Sequence, residues 1–173
     1  MVTVQDVKAR WDEIQNDDER ILFIVGGPGS GKSLIIRELA EQYGWKYLEA
    51  KHLIEEEFLL VPHEERPQKA EETIRTALSR SNTKVVLLDG INVLFAPILN
   101  LEPLEILKTV SKAHPLIVGW RGHVEGDQLF LEHNNNPKFA EVTIQNPKHE
   151  FASAFEGMKT VEIIEKIYSA KIH

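Results

Sequence analysis

Residues 21–33, which read ILFIVGGPGSGKS, restrict the possible folds of this chain more than any other stretch. The apolar run ILFIV, rich in branched residues, suits a strand buried on both faces. A turn through Gly26, Gly27, Pro28, Gly29, Ser30 and Gly31 follows, and Lys32 and Ser33 then open SLIIRELAEQY. Leu34, Ile35, Leu39 and Ala40 place an apolar stripe on that segment, so it reads as a helix ending near Gly44. The whole matches the phosphate-loop pattern, in the strand-to-helix context its chemistry requires. Glycines let backbone N–H groups converge on phosphate oxygens, and the helix N-terminus adds its partial positive charge. Lys32 is expected to reach the terminal phosphates and Ser33 to ligate Mg²⁺. A ligand-free turn would leave a lysine at the helix start without a use.

KVVLLDG, residues 84–90, is a second buried strand ending in Asp89. At the C-terminal edge of a parallel sheet this carboxylate can hold Mg²⁺ through a water; as a structural residue it would cap a turn. Gly90 comes next, where many phosphate-loop hydrolases of the additional-strand class carry a glutamate that polarises the attacking water. Substitutes are few. Glu49 ends a second strand, KYLEA, and can face a terminal phosphate or lie in solvent. Asn92 can orient a water without acting as its base, and Glu102 is a weaker candidate that begins a helix. Arg121 follows the strand HPLIVGW, and there it can stabilise phosphate charge in its own or a neighbouring subunit, or form a surface ion pair. Trp120 reads as packing rather than as a platform for a base.

Strands alternating with helical patterns predict a three-layer α/β phosphate-loop fold with a mainly parallel sheet, in one domain over residues 1–173. Val7, Trp11 and Ile14 mark a first helix, HLIEEEFLL a short one before Pro62, and 68–79 a longer one. PHEERP is a connector. INVLFAPILN reads as a turn followed by a short helix, and a further helix starts at Pro103. QLFLE and FAEVTIQ flank a loop with HNNNP and read as a hairpin, or as a hairpin plus the last sheet strand, with 120–138 the most irregular stretch. Val161, Ile164, Ile167 and Tyr168 have the spacing of a C-terminal helix.

Composition narrows the chemistry. The chain has no cysteine, which removes disulfides, thiolate zinc sites and thiol nucleophiles. Its 7 histidines are scattered without HExxH spacing. No apolar run approaches a membrane span and no signal-peptide core opens the sequence, so a cytoplasmic location is expected. The formal net charge of -7 argues against a general nucleic-acid coat protein. DNA contact is expected only indirectly or on assembly. SNTKVV lacks the NKxD guanine pattern, so ATP is the expected nucleotide.

GGPGSGKS followed by VVLLDG is similar to adenylate and nucleoside-monophosphate kinases. Those enzymes continue with proline and arginine, whereas this chain continues with INVLF and has few arginines elsewhere. The strand and loop at 21–33, PHEERP at 62–67, LLDGINVLF at 87–95 and the strand-to-WRG segment at 116–122 together more closely resemble the BrxF-like phosphate-loop proteins of type 3 bacteriophage-exclusion (BREX) systems. The resemblance continues through the loop around Glu125–Pro137. It implies a component of bacterial anti-phage defence working with other defence-system proteins. The expected activity is Mg-ATP binding with slow hydrolysis, stimulated by a partner or by homo-oligomerisation. The alternatives are a non-hydrolysing nucleotide-dependent scaffold and a small-molecule kinase.

Overall fold

The computed structural model describes residues 2–144, 162–164 and 171–172. Helix α1 (Val4–Ile14) starts at a capping box: the Thr3 hydroxyl accepts from the Asp6 N–H, and the Asp6 carboxylate accepts from the Thr3 N–H. It buries Val4, Val7, Trp11 and Ile14. Strand β1 (Ile21–Gly26) is buried along its whole length. Helix α2 (Lys32–Tyr43) ends at Gly44, whose φ of 68° is the left-handed conformation glycine adopts without strain. Strand β2 (Lys46–Glu49), helix α3 (Arg66–Arg80), strand β3 (Val86–Asp89) and helix α4 (Pro103–Val110) follow. The remaining strands are β4 (Leu116–Glu125), β5 (Gln128–His133), β6 (Asn136–Thr143), β7 (Glu162–Ile164) and β8 (Lys171–Ile172).

Strands β2, β3, β4 and β1 lie side by side and parallel, and β7 joins the far side of β1 antiparallel. The phosphate-loop strand and the strand ending in Asp89 are therefore not neighbours. β4 runs between them, which is the additional-strand arrangement. One face of the sheet packs Leu22, Ile24, Leu87 and Ile117 against α1 and α2. The other packs Phe23, Val25, Leu88 and Val118 against α3 and α4. The result is the expected three-layer α/β phosphate-loop fold.

Beyond Arg121, β4 leaves β1 and pairs antiparallel with β5, which pairs with β6, and β6 with β8. The strand read as 114–120 is thus longer than expected. Its extension depends on a two-residue turn in which Gly126 has a φ of 63°. HNNNP contributes only Asn134 and Asn135 to the second turn, both at positive φ, a conformation asparagine tolerates better than other side chains do.

Other expectations change locally. HLIEEEFLL does not form a helix: its first residue closes a 3-10 turn begun in the preceding segment, Ala50–His52, and a second 3-10 turn spans Glu56–Leu60. Phe58 is the one buried side chain in the second turn, too little apolar surface to hold a full helix. INVLFAPILN likewise gives 3-10 turns at Ile91–Phe95 and Pro97–Leu99. Leu34, expected on the buried stripe of α2, is 59 % exposed, and Ile36 takes that place. Residues 162–164, expected in a C-terminal helix, form β7. Val161, Ile167 and Tyr168 lie outside the described residues.

The connector PHEERP has a structural use. Arg66 donates to the carbonyls of Val61 (3.0 Å), Leu59 (3.1 Å) and Ile98. Asn100 donates to the carbonyl of His63 at 2.9 Å. These bonds tie the segment after β2 to the segment after β3.

Candidate functional site

The site is built where β1 turns into α2. Gly29 and Gly31 have φ of 77° and 96°, so residues with a β-carbon would be strained at both. A β-carbon on Gly26 would overlap the Ser30 hydroxyl and crowd Lys32 Cβ at 3.4 Å. Ser30 Oγ is buried and has no hydrogen-bond partner among the described residues. Lys32 is only 8 % exposed, although it carries a charge. Its Nζ donates to Asp89 Oδ1 at 2.8 Å, and the same oxygen accepts from the Gly90 N–H at 2.9 Å. Ser33 is exposed on the first turn of α2, next to this pair.

The sheet explains why Lys32 and Asp89 meet. Gly119 of β4 sits between β1 and β3, and a β-carbon there would overlap Asp89 Oδ1 and lie 2.9 Å from Ile36 Cδ1. The missing side chain leaves room for Asp89 to reach across β4 to the start of α2. Alternation along β4 puts Arg121 on the same face as Gly119, and Arg121 is in register with Gly26. It is exposed at the rim of the phosphate loop.

The other sequence candidates make no contact with the Lys32–Asp89 pair among the described hydrogen bonds and ion pairs. Glu49 is in register with Asp89, but its carboxylate accepts from Tyr47 at 3.3 Å and pairs with Lys51 at 3.2 Å. The Lys51 hydrogen bond and charge hold the Glu49 carboxyl below the usual carboxylate range, which makes it a weaker base. Tyr47 is pushed up to about 12 by burial and then by the negative charges of Asp89 and Glu49, so it stays a neutral donor. Asn92 lies in the 3-10 turn after Gly90, half-buried. Glu102 precedes Pro103 at the start of α4 and lines a cleft between α3 and α4. Trp120 is fully buried and meets Phe23 and Phe95 edge-on, so it is packing and not a base platform.

One residue at this edge was not read from the sequence. Glu132 of β5 places Oε2 3.5 Å from where a β-carbon on Gly27 would lie. No motif marks it, because it reaches the loop only through the turn at Gly126.

These features define a phosphate-loop nucleotide-binding protein of the layered α/β class. The family described as "ATPase family associated with various cellular activities (AAA)" matches residues 10–99, and the chain belongs to that family. The match covers β1, the phosphate loop, α2, β2, α3, β3 and the turns after Asp89. Among solved structures, one described as the structural basis for katanin self-assembly is similar at 14 % identity and a TM-score of 0.38, over 69 % of this chain and 40 % of its own. A structure of C. elegans PCH-2 is similar at 16 % identity and a TM-score of 0.39, over 72 % of this chain and 36 % of its own. A DNA replication initiation factor gives 20 % identity and 0.37, over 92 % and 44 %. The chain spans less than half the length of each of these. Comparison with curated proteins returns no match.

Asp89→Asn is expected to weaken nucleotide binding in the presence of Mg²⁺ about tenfold and to change binding in chelator much less. A carboxylate that held Mg²⁺ would act through the ion, while an amide keeps nearly the same shape and would lose that hold. A metal titration at fixed nucleotide checks this. Identical metal dependence in parent and variant would reduce Asp89 to the partner of Lys32.

Proposed function

We propose that this chain binds Mg-ATP, hydrolyses it slowly, and turns it over faster in an assembly. The buried Lys32–Asp89 pair beneath the glycine loop carries this reading. A lysine withdrawn from water at a helix N-terminus is costly to keep unless an anion takes it up. Phosphate oxygens would replace Asp89 as its partner. The orphan hydroxyl of Ser30 and the loop glycines fit a group that brings many acceptors into the loop. Ser33 and the freed Asp89 would hold Mg²⁺, which neutralises phosphate charge when bound. Gly26 to Ser33 then bind and orient the triphosphate, and Arg121 stands exposed at the rim, free to reach the nucleotide of a neighbouring copy.

Gly90 cannot polarise a water, which supports slow turnover by the isolated chain. Completion of the site between copies, with Arg121 contributing to a neighbour, would make ATP favour a homo-oligomer by linkage. The resemblance of LLDGINVLF and the WRG segment to BrxF-like proteins supports a place in a cytoplasmic anti-phage complex with other defence proteins. The net charge of -7 supports DNA contact only indirectly or on assembly.

Mass by light scattering, with Mg²⁺ and a non-hydrolysable ATP analogue, is expected to rise above that of the monomer at micromolar concentration. Arg121→Ala should reduce the rise while leaving nucleotide affinity within about twofold, as expected for an exposed residue. A parent protein that stays monomeric with bound nucleotide would remove the intersubunit site.

A further inference from the structure

We infer that Glu132 is the carboxylate that activates the attacking water, in place of the glutamate that Gly90 does not provide. The inference rests on the Mg-ATP reading above and names a catalytic residue within it. Three observations converge on Glu132. Its Oε2 lies beside Gly27, the second residue of the phosphate loop. The turn at Ile91–Phe95, which directly follows Asp89 and Gly90, packs against β5. The side chain also lies on the loop's face of the sheet. His123 is in register with Phe130 and stacks on its ring, and although the β5–β6 register shifts between Leu131 and His133, Glu132 Oε1 still lies 3.8 Å from His123 Nδ1 on that face.

A carboxylate in this place works against simple phosphate binding, because it repels the anion that the loop is shaped to hold. An acidic residue at the loop therefore needs another use, and accepting a proton from water is the use that the rest of the site lacks. His123 lies beside this carboxylate. Its Nδ1 is 3.8 Å from Glu132 Oε1, and its Nε2 is 2.8 Å from Glu125 Oε2. Lys138 holds Glu125 from the other side at 3.2 Å. The ring thus lies between two carboxylates and against the face of Phe130. Glu132 itself is 26 % exposed, open enough to meet a water and a nucleotide.

In the step this assigns, a water oxygen forms a bond to the γ-phosphorus while one of its protons passes to a Glu132 oxygen. The bond from that phosphorus to the bridging oxygen breaks, and its electron pair leaves on ADP. The proton on Glu132 is then released to solvent, giving ADP and inorganic phosphate.

The test is Glu132→Gln in the full chain, with Glu132→Asp and Glu64→Gln beside it. Glu64 is exposed on the turn His63–Glu65, which packs against α3, and its variant should match the parent. Affinities for ATP and ADP are measured by calorimetry without metal, and phosphate release by single-turnover assay with Mg²⁺. Glu132→Gln should release phosphate about 10²-fold more slowly or worse, the usual scale for losing a general base. Its ATP affinity should rise relative to ADP by about tenfold, because a negative charge near the terminal phosphate has gone. Glu132→Asp should keep the parent's ATP-to-ADP preference but lose rate, because its charge remains and its reach is shorter. Phosphate release within about threefold of the parent, or an unchanged ATP-to-ADP ratio in Glu132→Gln, would overturn the assignment, as would a parent that binds ATP and never turns it over. A parent that binds no ATP overturns the Mg-ATP reading itself.

Discussion

Lys32→Ala is expected to weaken Mg-ATP binding about 10²-fold or more, since charge-assisted contacts to phosphate contribute about 1.5–3 kcal/mol each and 1.4 kcal/mol is tenfold in affinity. Its effect on the unliganded protein is smaller and has a different cause. Lys32 is the charged partner of Asp89 at 2.8 Å, and removing it leaves that carboxylate with the Gly90 N–H. A deeply buried charge stripped of its partner costs about 3–5 kcal/mol. Asp89 lies at the open edge of the sheet with its side chain 13 % exposed, where water can take the vacated place, so about 1 kcal/mol is the expected loss. The double variant Lys32→Ala, Asp89→Asn should recover that stability without recovering nucleotide binding. Non-additivity of this kind is what a direct pair requires. Calorimetry with ATP and thermal denaturation without it, on both variants and the parent, separate the two effects. Equal ATP affinity in Lys32→Ala and parent would remove the phosphate site from this loop. Strict additivity of the stability changes would deny that the pair forms in solution.

The part of the site that was legible in the sequence is the part made by neighbours along the chain. Gly26 to Ser33 form a loop whose geometry depends on positive φ at Gly29 and Gly31, and glycine at those positions is visible as spelling. Asp89 was readable for a related reason, since four apolar residues before an acid mark a central strand and its outer end. What was not legible depends on contacts far apart in sequence. Gly119 looks like an ordinary interruption of LIVGW, yet it vacates the space through which Asp89 reaches Lys32. Arg66 reads as part of a charged connector, yet it ties together carbonyls from two separate turns. Glu132 follows an unremarkable apolar run and meets the phosphate loop only because β4 outruns β1 and folds back. Apolar periodicity did not foresee the extension either, because Arg121, Gly122 and His123 interrupt the apolar run with residues that read as loop. In the structure they alternate exposed, buried and half-buried, as a strand with one covered face does.

Gly122 is where that extension can be tested most directly, and Gly122→Ala is expected to be among the most destabilising single substitutions in the chain. A β-carbon there would overlap the Phe130 carbonyl oxygen and lie 2.9 Å from both the Phe130 carbonyl carbon and Trp120 Nε1. Neither neighbour can give way cheaply. The Phe130 carbonyl is backbone in the middle of the β4–β5 pair, and Trp120 Nε1 donates to that same oxygen at 3.0 Å. Trp120 is in turn fixed edge-on between Phe23 and Phe95 in the main core. Moving β5 outward by enough to seat a methyl group would break this buried hydrogen bond and open the packing of Leu129 and Leu131. A loss of about 3–5 kcal/mol follows from overpacking combined with an unsatisfied indole N–H. At about 2–4 °C per kcal/mol for a domain of this size, the melting temperature should fall by about 10 °C. Gly126→Ala on the neighbouring turn is the useful contrast, because a β-carbon there meets nothing and only its φ of 63° is strained. That variant should lose about 1 kcal/mol. Thermal or urea denaturation of the two variants measures the difference. A Gly122→Ala protein no less stable than Gly126→Ala would mean that β5 does not sit against β4 in this register. The placement of Glu132 beside the phosphate loop would fall with it.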